Sequence, residues 1–310
     1  MTGDPHVAAS PDAEPPQSEF GASDVAVVIV AYNSAGYLGA ALESLEAEGP
    51  AQVVVVDNAS PDESASVARE RGADVVVLEE NAGYGAGFNA GFAATSAPVV
   101  LALNPDCVVE AGALDALAAA FAHSETLGAA GPMLVNSDGS VQRSCRQFPT
   151  VFGAALHGFL GLFWAGNPFT RRYQMADWDH GSPRLVDWVS GAALAARRSA
   201  LDAVDGFDPG YFMYVEDVDL CWRLWRAGWS VAFEPAARIT HAVGTSSGRQ
   251  PYRLIVEHHK SMLRFERRRR NKRGLTWPLV WAGVWTRAGL ALAARAFGRK
   301  PAADPRSGVM

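Results

Sequence analysis

Four short β-branched runs, at 25–31, 53–56, 75–78 and 99–103, alternate with longer segments of helical character near 36–48, 62–71 and 84–95. Parallel strands need a crossover of a dozen or more residues, and a helix usually fills it. The alternation therefore predicts an α/β architecture: βαβ units forming one twisted, mainly parallel sheet flanked by helices. A sheet of this kind places its ligand crevice beyond the carboxyl ends of the strands. Here the runs lead into polar residues: Tyr32 and Asn33, Asp57 and Asn58, Asn81, then Asn104, Pro105 and Asp106. Any one of these reads equally well as a strand terminator. Four together mark a rim.

After about residue 140 the alternation fades into aromatic, glycine-containing segments, which predict a second half facing a substrate. The 310 residues are 49% hydrophobic and 19% charged, enough to bury one large core or two ordinary ones. A net charge of -6 argues against a nucleic-acid coat protein, so no nucleic-acid partner is expected. Cys107, Cys145 and Cys221 lie far apart with no CxxC pair, which supports neither a disulfide framework nor a thiolate zinc site and fits a reducing cytoplasm. Residues 1–24 hold five acids, no Lys or Arg and no apolar core, so they read as a disordered tail and not as a targeting signal.

Three local motifs carry chemistry, each against a plainer alternative. The stretch Gly83-Tyr84-Gly85-Ala86-Gly87-Phe88-Asn89 is a glycine-rich relative of the dinucleotide fingerprint, with Asp106 in range for a ribose-binding acid. It follows the third run, whereas a nicotinamide enzyme would carry it after the first, and it ends on Asn89. A tight strand-to-helix turn and a helix end facing an anion or sugar both fit. Asp106, ending the fourth run, is placed to meet a hard divalent cation that bridges phosphates, or only to close an Asx turn. His241, in a later β-like run, has no local spacing that makes it a ligand.

The densest polar-aromatic cluster spans 210–229. Val218, Cys221, Trp222 and Trp225 recur at helical spacing and read as core. Asp219 has Arg223 four residues on, a pairing common on solvated helix faces. Asp217 has Leu220 and Cys221 at those positions and hence no intrahelical counterion, so Glu216 and Asp217 beside bulky aromatics are a candidate general-base site.

Two stretches, 151–169 and 275–297, are apolar, but His157 and Asn167 interrupt the first and Pro278, Arg287 and Arg295 the second. Both fall short of a spanning helix. Residues 264–273 carry seven basic residues and one acid just before the second stretch. Attachment to an anionic membrane surface is one reading, at roughly 1 kcal/mol per basic residue, with Trp277, Trp281 and Trp285 as interfacial anchors. Packing of the same face on the catalytic domain is the other.

Taken in order, these segments resemble family 2 glycosyltransferases of GT-A fold, especially their bacterial rhamnosyltransferase branch. The resemblance covers about residues 24–265 and rests on VIVAYNSAGYL at 28–38, VVVVDNASPDES at 53–64, NAGYGAGFNAG at 81–91, LALNPDCVV at 101–109, VSGAALAARRSAL at 189–201, GFDPGYFMYVEDVDLCWRLWRAGW at 206–229 and the late His241. It implies an inverting enzyme in which Tyr32, Asn33 and Asp57 hold the nucleotide, with Asn81, Gly83, Asn89 and Asn104 lining the same donor site. It further implies Mg²⁺ or Mn²⁺ at Asp106 and His241, Asp217 as base, and Glu216 positioning the acceptor. Asn104 stands where the family usually has the first Asp of its Asp-x-Asp motif.

The same resemblance implies a nucleotide sugar, dTDP-rhamnose in that branch. The basic and apolar carboxyl end is similar to enzymes whose acceptor is a polyprenyl-diphosphate-linked N-acetylglucosamine in cell-wall synthesis. The expected organisation is a tail at 1–24, a nucleotide-sugar half at 25–140, an acceptor and catalytic half at 141–262, a basic and apolar helical extension at 263–300 and a tail at 301–310. The expected location is cytoplasmic, peripheral on the inner face of the plasma membrane.

Overall fold

The structure, a computed structural model, describes residues 20–148, 164, 166–242, 251–269 and 277–297. Its first half follows the βαβ rhythm: β1 (Val25–Ala31), α1 (Ala35–Glu48), β2 (Gln52–Asp57), α2 (Ser64–Glu70), β3 (Asp74–Val77), α3 (Tyr84–Ala93) and β4 (Val99–Leu103). These strands pair in parallel in the order β3-β2-β1-β4. Every residue of β1 is buried. Val25, Val27 and Ile29 face the core beneath α1, and Val28 and Val30 face the core beneath α3. A fully buried Val or Ile contributes about 1.5–3 kcal/mol, so a strand apolar on both faces belongs at the centre of the sheet.

Beyond β4 the sheet becomes mixed. The chain continues through β5 (Cys107–Val109), α4 (Ala113–Ala122), β6 (Leu127–Val135), β7 (Val141–Gln142), β8 (Cys145–Arg146) and α5 (Pro168–Tyr173). It then forms β9 (Arg184–Leu185), β10 (Trp188–Val189), β11 (Ala193–Arg197), α6 (Arg198–Ala203), α7 (Glu216–Arg226) and β12 (Ser230–His241). β11 inserts antiparallel between β4 and β6, and β12 runs parallel to β6 and antiparallel to β5. The halves expected to divide near residue 140 therefore share one sheet. Register shifts in β12, one of them between Glu234 and Arg238, leave His241 opposite Cys107.

Two helices, α8 (Pro251–Arg269) and α9 (Trp277–Ala296), close the described chain and pack on each other. Among the described residues no helix is long and apolar enough to cross a membrane. Residues 20–24, expected in the tail, instead form a short turn whose Ala22 N–H donates to Asp115 Oδ1 at 2.7 Å. Most of the 151–169 stretch and the 301–310 tail lie outside the described residues; Asn167 caps α5 by accepting from Thr170 N–H at 3.0 Å.

Candidate active site

The ends of β1 and β2 are stapled by Ser60. Its N–H donates to Asp57 Oδ1 at 3.1 Å, its hydroxyl donates to Ala31 O at 3.3 Å, and its oxygen accepts from Asn33 N–H at 3.2 Å. Asp57 is buried, Asn33 takes a left-handed φ of 56°, and Tyr32 remains exposed at the rim. Beside them Asn58, 2% exposed, donates to Asn81 Oδ1 and Gly83 O and accepts from Ala82 N–H. Asn81 Oδ1 in turn accepts from Gly83 N–H at 3.1 Å. Asn58 thus shapes the turn into α3, a task its residue type alone did not disclose.

Two residues expected to line the donor site also have structural work. Gly83 has φ 88°, and a Cβ there would lie 2.3 Å from Phe212 O. It is glycine because the loop before the acid pair presses against it, and Phe212 O accepts from Tyr84 N–H at 3.0 Å. The Asn89 amide is engaged by the backbone of one residue: Nδ2 donates to Phe207 O at 2.7 Å and Oδ1 accepts from Phe207 N–H at 2.9 Å. Both therefore brace the 206–212 segment.

Asn104, Asp106 and His241 meet at the end of β4. His241 Nε2 lies 3.4 Å from Asp106 Oδ1 and 3.5 Å from Asn104 Nδ2. Gln142 Oε1 sits 2.9 Å from His241 Nδ1 and, as an acceptor, places the ring proton there, leaving the Nε2 lone pair toward Asp106. Asp106, Cys107 and His241 offer ligand atoms within 4.8 Å of one another, a possible metal site. Burial, and then the Asp106 charge, push the Cys107 thiol well above its ordinary range, and Sγ donates to Ala192 O. A neutral thiol is a poor ligand for a hard cation. The donor set that fits Mg²⁺ or Mn²⁺ is Asp106 with His241 Nε2.

The acid pair begins α7. Tyr214 and Val215 precede it with φ of 67° and 69°, a left-handed pair that is a marked outlier for β-branched valine. Asp217 Oδ2 accepts from Gly191 N–H at 2.9 Å and Oδ1 from Val218 N–H at 2.8 Å. Glu216 Oε2 is buried with no hydrogen-bond partner among the described residues. Burial and then repulsion from Asp217 push the Glu216 carboxyl up to about 8. Burial also raises Asp217, opposed by its two N–H donors and by Arg146.

Tyr84 joins the two centres. Its hydroxyl donates to Gly191 O at 2.7 Å, and its phenol is raised well above its ordinary range by burial, then by Glu216, Cys107 and Asp217. The adjoining Ala192 O accepts from Asn104 N–H at 2.8 Å. Neither Tyr84 nor Gly191 carried a separate site signal in the sequence.

Asp219 corrects the expectation of a solvated pair. It is fully buried, accepts from Arg223 Nε at 2.7 Å and from Tyr211 OH at 3.2 Å, and lies 3.5 Å from Arg268. The basic run is also less free than expected. Arg264 and Arg268 pair with Asp208, and Arg269 with Glu266, while Arg270, Lys272 and Arg273 lie outside the described residues.

Residues 26–182 match the glycosyl transferase family 2 profile, and the chain belongs to that family. It is 38% identical over 250 residues to an N-acetylglucosaminyl-diphospho-decaprenol L-rhamnosyltransferase of Mycobacterium tuberculosis, covering 76% of this chain and 81% of the relative. Rhamnosyltransferase WbbL of Escherichia coli (strain K12) is 33% identical over 127 residues, 41% of this chain and 45% of that protein. Among solved structures, the mannosyltransferase PcManGT from Pyrobaculum calidifontis shares the fold with a TM-score of 0.56 at 17% identity, over 91% of this chain and 78% of that one. Family membership excludes the dinucleotide-fingerprint reading of Gly83–Asn89.

Proposed function

We propose that this glycosyltransferase transfers L-rhamnose from dTDP-rhamnose, with inversion, to a polyprenyl-diphosphate-linked N-acetylglucosamine. The likeness to the mycobacterial relative over most of both chains supports the donor and acceptor classes. The chemistry rests on the acid pair. Asp217, the carboxylate with two N–H donors, holds the negative charge and takes the acceptor hydroxyl proton. The acceptor oxygen then bonds the anomeric carbon while the bond from that carbon to the diphosphate oxygen breaks, and dTDP leaves with the electron pair. Glu216, kept protonated near neutral pH, donates a hydrogen bond that orients the acceptor. In this reading Tyr32, Asn33 and Asp57 hold the nucleotide. A divalent cation held by Asp106 and His241 would neutralise charge on the departing diphosphate.

The acceptor also sets the location we propose, peripheral on the cytoplasmic membrane surface. Helix α9 contains no acid and exposes Leu279 (75%), Leu290 (46%) and, just beyond its end, Phe297 (85%) along one side, with Trp281 (52%) exposed on the other. An exposed apolar helix face fits insertion at the headgroup level. The test is turnover with a panel of nucleotide sugars and a short prenyl-diphosphate N-acetylglucosamine, with flotation on phosphatidylglycerol vesicles in parallel. dTDP-rhamnose should support transfer above every other donor. Equal or better use of a different donor would overturn the assignment.

A further inference from the structure

Where α8 meets α9, a nitrogen-rich cluster stands apart from the groups used above. His259 is 2% exposed, and its Nδ1 lies 2.6 Å from the Ile255 carbonyl, to which it donates. Its Nε2 is thereby an acceptor, and Arg287 Nη1 donates to it at 3.0 Å. The His259 and His258 rings lie 5.5 Å apart, and His258 meets the Tyr214 ring edge-on at 5.3 Å. Tyr214 stands two residues before Glu216, close enough that the Glu216 charge helps raise its phenol. Contacts thus lead from the middle of α9 to Tyr214, whose phenol feels the charge of Glu216.

The cluster has unused hydrogen-bonding capacity. Among the described residues His258 Nδ1 and Arg287 Nε are buried without a hydrogen-bond partner, and no carboxylate pairs with Arg287. A guanidinium placed against a neutral imidazole is costly unless something anionic completes it. Burial already lowers the proton affinity of Arg287 and of both histidines, His258 to about 3, and the Tyr173 phenol offsets only part of the effect on Arg287. The neighbouring cations Arg264 and Arg268 differ, being already satisfied by Asp208.

Position narrows the ligand. At 3.6 residues per turn, Leu279, Thr286, Leu290, Ala293 and Phe297 fall on one exposed side of the α9 axis, and Arg287 borders that side. An apolar strip, then a guanidinium, then the acid pair is the order of parts in a prenyl chain, a diphosphate and a sugar hydroxyl. We propose that Arg287 and His258 form the subsite for the acceptor's diphosphate, with the prenyl chain along the apolar side of α9 and the sugar at Glu216 and Asp217. This rests on the acceptor class given above. The shared chemistry is a cluster of phosphate oxygens, which an anionic phospholipid headgroup could also supply, and the guanidinium fork suits either.

The experiment measures binding of farnesyl diphosphate, farnesyl monophosphate and phosphatidylglycerol vesicles to the full chain, as wild type, Arg287→Met, Arg287→Lys and His258→Phe. Methionine keeps the packing volume, and phenylalanine keeps the ring against Tyr214. A charge-assisted contact is worth about 1.5–3 kcal/mol, so Arg287→Met should weaken farnesyl diphosphate roughly tenfold or more. Monophosphate and vesicle binding should change less, Arg287→Lys should recover part of the loss, and His258→Phe should weaken the diphosphate several-fold. Farnesyl diphosphate affinity within twofold of wild type in both Arg287→Met and His258→Phe would overturn the subsite. An equal loss on vesicles would assign the cluster to headgroups, and an Arg287→Met chain that does not fold would make it structural; either overturns it. Transfer assays separate this from the parent reading: that reading fails if wild type does not use the lipid-linked acceptor, whereas an unchanged acceptor KM in Arg287→Met sinks the subsite alone.

Discussion

Two carboxylate centres, linked through Tyr84 and the backbone of Gly191 and Ala192, are built by opposite means. Asp106 reaches His241 because β5 and β12 pair in a register that sets His241 opposite Cys107, and Gln142 then turns the ring. That corner combines a carboxylate, an imidazole lone pair and an amide, groups able to share a cation's charge. Glu216 and Asp217 instead follow two left-handed residues that cost about 1–3 kcal/mol each. Helix α8 and the turn before α3 hold that loop, with Ser261 Oγ donating to Met213 O at 3.0 Å and Gly83 closing on Phe212. Among the described residues the pair's hydrogen bonds come from backbone donors, with Arg146 the one cation acting on Asp217 and mutual repulsion raising Glu216, an environment suited to moving a proton. The same residue type serves two roles because strand register supplies counter-groups in one place and a strained turn withholds them in the other.

The sharpest way to break this contrast is Asp217→Asn. A positioned base contributes about 10²–10⁴-fold, and transfer should fall by that much while calorimetry finds nucleotide binding nearly intact. Asp219, two residues on, is the control. It is tied to Arg223 and Tyr211, so Asp219→Asn should cost about 3 kcal/mol of stability, read as a lower denaturation midpoint, with a smaller loss of turnover in the folded fraction. Equal catalytic losses in folded samples of both would remove the distinction between base and brace.

How legible each region was in the sequence follows from what its order depends on. The runs at 53–56 and 75–78 lie within a residue of β2 and β3: β2 is buried from Val54 onward, whereas β3, at the sheet edge, is half exposed and shows itself through its run of valines. β11 was hidden: Ala193–Arg197 reads ALAAR, a helix-forming composition, and is a strand only because β4 and β6 flank it. Asn89 and Gly83 carried a ligand-like pattern, yet their demands come from Phe207 and Phe212, more than a hundred residues away. Asp219 and Arg223 have the spacing of a surface pair, and spacing does not report burial. Gln142, on a two-residue strand, offered no periodic signal.

The cation corner gives the next-largest test. Mg²⁺ or Mn²⁺ should tighten nucleoside diphosphate binding, and Asp106→Ala should abolish that gain, roughly 10–100-fold on the scale of charge-assisted contacts. His241→Ala should remove part of it. Gln142→Leu should remove less, since it frees the ring to take the other tautomer without deleting a ligand. Titrations that give one affinity with cation and with chelator would reject the corner as a metal site.

The smallest expected effect is the most specific to the acid pair, and it comes from Glu216→Gln. Glutamine copies the protonated carboxyl, so activity near pH 6–7 should fall only a few-fold. The difference emerges on the alkaline side. Wild-type Glu216 loses its proton near 8, forfeits its hydrogen bond to the acceptor and places a second charge beside Asp217, so kcat/KM should decline there while the glutamine variant stays level. Stability should follow with a definite sign. Above the ordinary glutamate value of 4.5 the unfolded chain has released a proton that the native chain keeps up to about 8, so wild-type stability falls as pH rises through that window. Thermal melts should therefore show Glu216→Gln near wild type at pH 4 and more stable at pH 8–9. A melting difference that does not grow with pH, or an alkaline limb that survives the substitution, would mean that Glu216 is not the group holding that proton.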